Sequence, residues 1–319
     1  MYDVVALGEL LIDFTESGKS EQGNQLLEVN PGGAPCNVLA MLKQMGKKTA
    51  FIGKVGQDMF GNLLKQTLDE VGIDSKNLIM DEEVRTTLAF VHTLADGDRE
   101  FSFYRNPGAD MMLSEEEINP EVIKGTKIFH FGTLSMTHEG VRNATKKAVS
   151  IAKEAGALIS FDPNLREPLW ESLELAKEQM EYGFRQCDIL KISDNEIQFV
   201  NGKEDYDEGI AILQEKYQIP LILLTKGKDG SCAYYKEMRV EKKGFCVQAI
   251  ETTGAGDTFC GCSLGYLLEH DLQHLSEKEL EEMLTFANAG AALITLKKGA
   301  IRSMPKEQEI RRFVEEKSR

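Results

Sequence analysis

Short apolar runs rich in β-branched residues alternate along this chain with longer stretches whose apolar positions recur every three to four residues. Residues 4–7, 49–52, 128–131, 158–161, 189–192 and 221–224 read as buried strands. Residues 36–45, 61–71, 139–155 and 207–217 carry helical periodicity, and Gly46, Gly72 and Gly156 supply stop signals at helix ends. This alternation predicts a parallel sheet covered by helices, with ligands bound at the carboxyl ends of the strands. The last third adds a hairpin around 231–240 and three helices, near 255–270, 277–295 and 306–315.

One region departs from the alternation. Residues 86–94 and 99–104 are β-type stretches joined by Ala95-Asp96-Gly97-Asp98, a hairpin turn signal. Thr87, Ala89 and Val91 fall on one face, as do Phe101 and Phe103 in the partner stretch. A hairpin does not fit inside a parallel sheet, so it predicts a small separate sheet, with residues near Phe14 and 26–29, over the active-site edge. The lid segments are then about 14–30 and 84–106. A lid excludes water from a reaction centre. A dimer-forming hairpin is the competing use, and the two can coexist.

Composition narrows the class. With 319 residues, 42% of them hydrophobic, the chain can bury a large core, and no low-complexity linker or repeat divides it, so 1–319 reads as a single domain. Lys+Arg 37 against Asp+Glu 52 gives a net charge of −15, which argues against a nucleic-acid surface but allows a locally positive pocket. Six cysteines without any CxxC pair read as reduced thiols. No signal peptide and no membrane-length apolar run is visible, so a cytoplasmic location is expected.

The chemistry concentrates in Glu251-Thr252-Thr253-Gly254-Ala255-Gly256-Asp257-Thr258-Phe259, at the start of a helix. Two glycines one residue apart let successive N–H groups aim at one point, where the positive end of the helix also points. That is a receptacle for developing negative charge. Asp257 sets a carboxylate beside it, suited to taking a proton from an alcohol. An anion hole next to a base is what phosphoryl transfer to a hydroxyl requires. Taken alone, the string also reads as a Gly-rich turn with an Asp cap.

Other segments carry two readings each. Gly32-Gly33-Ala34-Pro35-Cys36-Asn37 allows close approach of a ligand with Asn37 facing hydroxyls, or is an ordinary loop with a helix starting at Pro35. Asp13 can hold a diol or cap local structure. Asp162-Pro163-Asn164-Leu165-Arg166 is a polar strand end, with Arg166 able to orient a sugar hydroxyl or stabilise phosphate, or a plain turn. Ser193-Asp194-Asn195-Glu196 suits hydrated magnesium beside ATP, or a helix N-terminus enriched in acids. Thr225-Lys226-Gly227-Lys228-Asp229-Gly230 permits nucleotide contact or is a hairpin turn. No GxxxxGK[ST] is present, and Phe259 stands where a dinucleotide fingerprint needs a small residue. His130 lies in an apolar strand and reads as a core histidine.

In order, and over nearly the whole chain, these segments resemble the ribokinase-like (PfkB) carbohydrate kinases, and within them the bacterial fructokinases. Gly32-Gly33-Ala34-Pro35-Cys36-Asn37-Val38 looks like the family's first signature and 252–257 like its second. The resemblance implies an α/β fold, a three-layer α/β/α sandwich with a mostly parallel central sheet and a small β-sheet lid. It implies transfer of the γ-phosphate of Mg-ATP to the 6-hydroxyl of D-fructose. Asp257 becomes the base, with Gly254, Ala255 and Gly256 as the anion hole. Asp13, Gly32, Gly33 and Asn37 hold sugar hydroxyls, while Tyr104, Arg105 and Arg166 approach the sugar or its new phosphate. Thr225, Gly227, Gly230 and Asn288 line the nucleotide site, and Glu196 organises Mg2+ through water.

Two positions depart from the family pattern. Glu251 stands where Asp is usual, at a monovalent-cation position, which leaves K+ activation open. Ser193 replaces the Asn of the NxxE motif. A 2-keto-3-deoxygluconate kinase is the alternative, because Tyr104-Arg105 and 162–166 would also serve an acid sugar. A non-catalytic sugar-sensing protein on the same fold is the alternative of another class. The implied partners are a small sugar and ATP, with a homodimer through the lid; nucleic acid and membrane are not expected.

Overall fold

The computed structural model describes residues 1–93 and 99–317. The turn expected at Ala95-Asp96-Gly97-Asp98 lies outside the described residues. Each of the six apolar runs forms a strand, and among the described residues the strands make two sheets. The larger takes β1 (Tyr2–Leu7), β4 (Thr49–Gly56), β5 (Asp74–Asp81), β8 (Thr126–Gly132), β9 (Leu158–Asp162), β10 (Ile189–Ser193), β11 (Leu221–Thr225), β12 (Ser231–Tyr235) and β13 (Met238–Lys242). Their spatial order is β13-β12-β11-β10-β9-β8-β1-β4-β5, parallel from β11 to β5 and antiparallel at the β12–β13 edge. The smaller is β3 (Gln25–Gly32), β2 (Leu11–Lys19), β6 (Leu88–Thr93) and β7 (Arg99–Tyr104), in that order.

Both faces of the larger sheet are buried, because side chains alternate along a strand and helices cover each side. On β1, Val4 and Ala6 join one core while Val5 and Leu7 join the other; on β11, Leu221 and Leu223 part from Ile222 and Leu224 in the same way. The first core receives α1 (Ala34–Gln44), α2 (Met59–Val71), α8 (Ala255–Leu267), α9 (Glu277–Ile294) and α10 (Glu307–Lys317). The second receives α3 (Pro120–Lys124), α4 (Glu139–Glu154), α5 (Leu173–Gln186), α6 (Asp194–Asn201) and α7 (Tyr206–Tyr217). Gly46, Gly72 and Gly156 all take positive φ where helices end, as the sequence predicts.

The small sheet is tied to the helices of the larger one at its strand ends. Asp58 caps α2 and also accepts from the backbone and hydroxyl of Thr86, just ahead of β6. Phe14 on β2 stacks on Phe90 at 4.8 Å and meets Phe60 of α2 edge-on at 5.7 Å. The pairing of Ala89 with Phe103 and of Val91 with Phe101 puts the alternating positions read from sequence into one register.

Candidate active site

Two helix N-termini meet at the carboxyl ends of the central strands. Helix α8 approaches α1 so closely that a methyl group on Gly261 would sit 2.7 Å from Met41 Cβ. Glycine there removes the Cβ that would hold the helices apart. The approach brings Asn37, in the first turn of α1, to Asp257, in the first turn of α8, and Asn37 Nδ2 donates to Asp257 Oδ2 at 2.7 Å. Asn37 is buried, and its Oδ1 has no hydrogen-bond partner among the described residues. Burial holds the Asp257 carboxyl above the usual carboxylate range, against the Asn37 amide and the charges of Lys191 and Arg166, which pull it down.

Gly254 caps α8 with φ 78°, a left-handed conformation that favours glycine. The Ala255 N–H turns back to the Thr252 carbonyl at 3.2 Å, and the Thr258 N–H bonds the Gly254 carbonyl at 2.8 Å. The amides of Gly256 and Asp257 lie between them, ahead of the helix's own bonding, so these two present the positive end of the helix.

Asp257 opens onto a cavity of about 480 Å3, lined also by Asp13, Gly33, Asn37, Phe103 and Arg166. Asp13 projects from β2, and Gly32 on the paired strand makes room for it: a Cβ there would stand 2.2 Å from Asp13 Oδ2. A second cavity, of about 850 Å3, is lined by Thr225, Gly227, Gly230, Asn288 and Glu196. Asn288 ties α9 to the β12–β13 hairpin, its Oδ1 accepting from Ser231 Oγ at 2.9 Å. The two cavities share Asn164, Arg166, Lys191, Thr252, Ala255 and Gly256. Asn164 holds φ 44°, unusual for a residue other than glycine, at this junction.

Several residues expected beside the sugar or a metal sit differently. Tyr104 is turned outward, 66% exposed, against Phe90. Strand alternation gives its neighbour Phe103 to the cavity instead. Arg105 lines neither cavity: its guanidinium is buried and spent on Asp110 at 2.8 Å, Thr137 Oγ1 at 2.9 Å and the Leu134 carbonyl at 2.9 Å. Glu196 closes a capping box on α6, with Oε2 accepting from the Ser193 amide and hydroxyl and Oε1 from the Leu165 amide, each at 2.8 Å. An acid-rich helix start is thus realised there, while the same carboxylate borders the larger cavity with acceptor capacity left on Oε1. Glu251 Oε2 accepts from the Gly299 amide at 3.1 Å. His130 is buried and bonded to Ser160 Oγ at 3.0 Å, and burial, then Lys191, pushes it down to about 3, so it stays neutral in the core.

Two buried charges that border the cavities escaped the sequence reading. Lys191 lies in the apolar strand β10, paired with Asp162 at 3.0 Å, and reaches both cavities. Glu9 follows β1 and borders the smaller cavity. A charged residue inside an apolar run was the available signal for both.

Comparison with known proteins gives this geometry its relatives. The model of the pfkB family carbohydrate kinases matches residues 1–307. A probable fructokinase-2 of Arabidopsis thaliana is 43% identical over 98% of this chain and 95% of its own length; fructokinase-1 of Zea mays is 42% identical over 98% and 97%. Among solved structures, fructokinase of Xylella fastidiosa with bound ATP superposes with a TM-score of 0.89 at 28% identity, covering 100% of both chains. The fructokinase of Vibrio cholerae O395 in its fructose, ADP and calcium ion bound form gives 0.89 at 31% identity, over 98% of this chain and 99% of that one. The matches run over nearly the whole chain and share its two-sheet α/β fold, and the chain belongs to the pfkB family of carbohydrate kinases.

Proposed function

We propose that this protein is an ATP-dependent fructokinase, transferring the γ-phosphoryl of ATP to the 6-hydroxyl of D-fructose. The observation that carries the reading is Asp257, hydrogen-bonded to Asn37 beside Gly256, where the two cavities meet. The smaller cavity suits a hexose, and the buried, unpartnered Asn37 Oδ1 is an acceptor that a sugar hydroxyl satisfies. The larger suits a nucleotide. Asp257 removes the proton from O6 as the new O6–P bond forms and the bond from the γ-phosphorus to its bridging oxygen breaks, releasing ADP. The Gly256 and Asp257 amides take up the charge that develops. Asp13 and Asn37 fix the sugar so that O6 faces the base.

Mg2+ would lie beside Glu196 and, held through water, would neutralise phosphate charge. The free lone pair on Glu196 Oε1 fits that outer role better than direct coordination. Glu251 keeps its carboxylate at the loop that would hold K+, and its bond to Gly299 supports a site that stays ordered without the ion.

A neutral sugar is favoured over 2-keto-3-deoxygluconate because Tyr104 faces out and Arg105 is already neutralised by Asp110 at 2.7 Å, so an acid sugar finds fewer cations. An intact base at the junction speaks against a non-catalytic sensor. We read the chain as one domain whose lid is the four-stranded sheet, and place it in the cytoplasm with its six free thiols reduced. Phosphorus NMR of products from Mg-ATP with fructose, 2-keto-3-deoxygluconate and ribose tests the reading. Fructose 6-phosphate should accumulate fastest; preference for the acid sugar would reassign the substrate, and no product from any of the three would contradict the proposal.

A further inference from the structure

Three carboxylates, Asp162, Glu196 and Asp257, surround the junction of the two cavities, and a phosphoryl group crossing there adds more negative charge. Repulsion in a partly dry site is severe unless a cation is fixed nearby. β10 supplies one. Lys191 is 6% exposed, and its Nζ lies 3.1 Å and 3.0 Å from the two oxygens of Asp162. On its other side, a methyl group on Gly256 would stand 3.3 Å from the same nitrogen, so the ammonium rests against the anion hole. Burial opposes the charge, but Asp162, Glu196 and Asp257 outweigh it and hold the amine protonated. Arg166 also borders both cavities, but it is only half-buried and donates to its neighbour's carbonyl, that of Leu165.

We propose that Lys191 is a catalytic residue, its ammonium touching the phosphoryl group in flight beside Gly256, and that Asp162 is the positioning residue that holds it there. The inference rests on the phosphoryl-transfer reading. An ammonium fixed in advance serves the transition state more than the ground state, because charge concentrates beside it only as the group moves. Asp162 spans the bottom of the amine, leaving its remaining donors for the incoming oxygens.

The test is steady-state kinetics with Mg-ATP and fructose on the intact protein, alongside circular dichroism and thermal melting. Wild-type turnover first settles whether the kinase reading stands, so failure there is distinguishable from failure of this inference. Lys191→Met alone strands a buried carboxylate and can misfold, so Lys191→Met/Asp162→Asn, which removes both charges, is measured beside it. The double variant should fold and lose about 100- to 1,000-fold in kcat, with both KM values within about threefold. Asp162→Asn alone should keep both KM values and lose kcat, since the amine is present but no longer held. A folded double variant with kcat within threefold of wild type would overturn the proposal, as would a loss confined to the KM for ATP.

Discussion

Glu9 borders the smaller cavity, 3% exposed, with Oε1 accepting from the Ala34 amide at 2.9 Å. Burial pushes its carboxyl up to about 7 from 4.5, the Ala34 amide pulls the other way, and Asp110 and Arg105 act in opposite senses. An acid whose folded value is raised contributes stability below its unfolded value and loses it as pH rises through the folded one. The window here runs from about 4.5 to about 7. Glu9→Gln keeps an acceptor and removes the charge, so its stability relative to wild type should improve by about 1–3 kcal/mol between pH 5 and pH 8. Urea melts at the two pH values check this, and an unchanged difference would contradict it. Asn37→Ala should raise the KM for fructose about tenfold or more, because it removes both the sugar's acceptor and the amide that aims Asp257; an unaltered KM would remove Asn37 from the sugar site. Asp257 and Asn37 were legible as residues because a pair of glycines precedes each of them at a helix start. Phe103, Lys191 and Glu9 were not, since which face a strand residue takes, and which buried charge finds a partner, depends on neighbours brought in by the fold.

Helices α1 and α8 form the hinge between sequence and chemistry. Their separation is set by Gly261, and a β-branched side chain there has no space. Gly261→Val should cost about 2–4 kcal/mol and also lower kcat, because α1 carries Asn37 away from Asp257. Thermal melting and kinetics on the same sample check both effects; a destabilised enzyme with full kcat would sever the link between this packing and the site. The parallel strands were plain in the sequence because burial on two faces demands continuous apolar runs. Strand β5 was hidden, since an edge strand reading Asp74-Ser75-Lys76-Asn77 is polar on its outer side. Helix α5 was also missed, although Ala176, Met180 and Phe184 repeat at helical spacing, because charged residues dilute the pattern. The hairpin of the small sheet was visible for the opposite reason: it broke the alternation.

At the scale of the molecule, the small sheet presents Leu27, Val29 and Tyr104 to solvent on the face of Phe14 and Phe90, each between 39% and 66% exposed. Apolar exposure of this kind would suit a second copy of the chain. Leu27→Asp with Tyr104→Asp should shift the protein toward monomer in light scattering, and a wild type that is already monomeric would dismiss this pairing. In the proposed reaction one carboxylate, Asp257, set where the two cavities meet, would perform the proton transfer. Its most direct test is the kcat of Asp257→Asn with fructose and Mg-ATP, measured with the binding of both substrates by calorimetry. The expected result is a loss of about a thousandfold or more in kcat with both substrates still bound. A variant that binds both and turns over near the wild-type rate would contradict it.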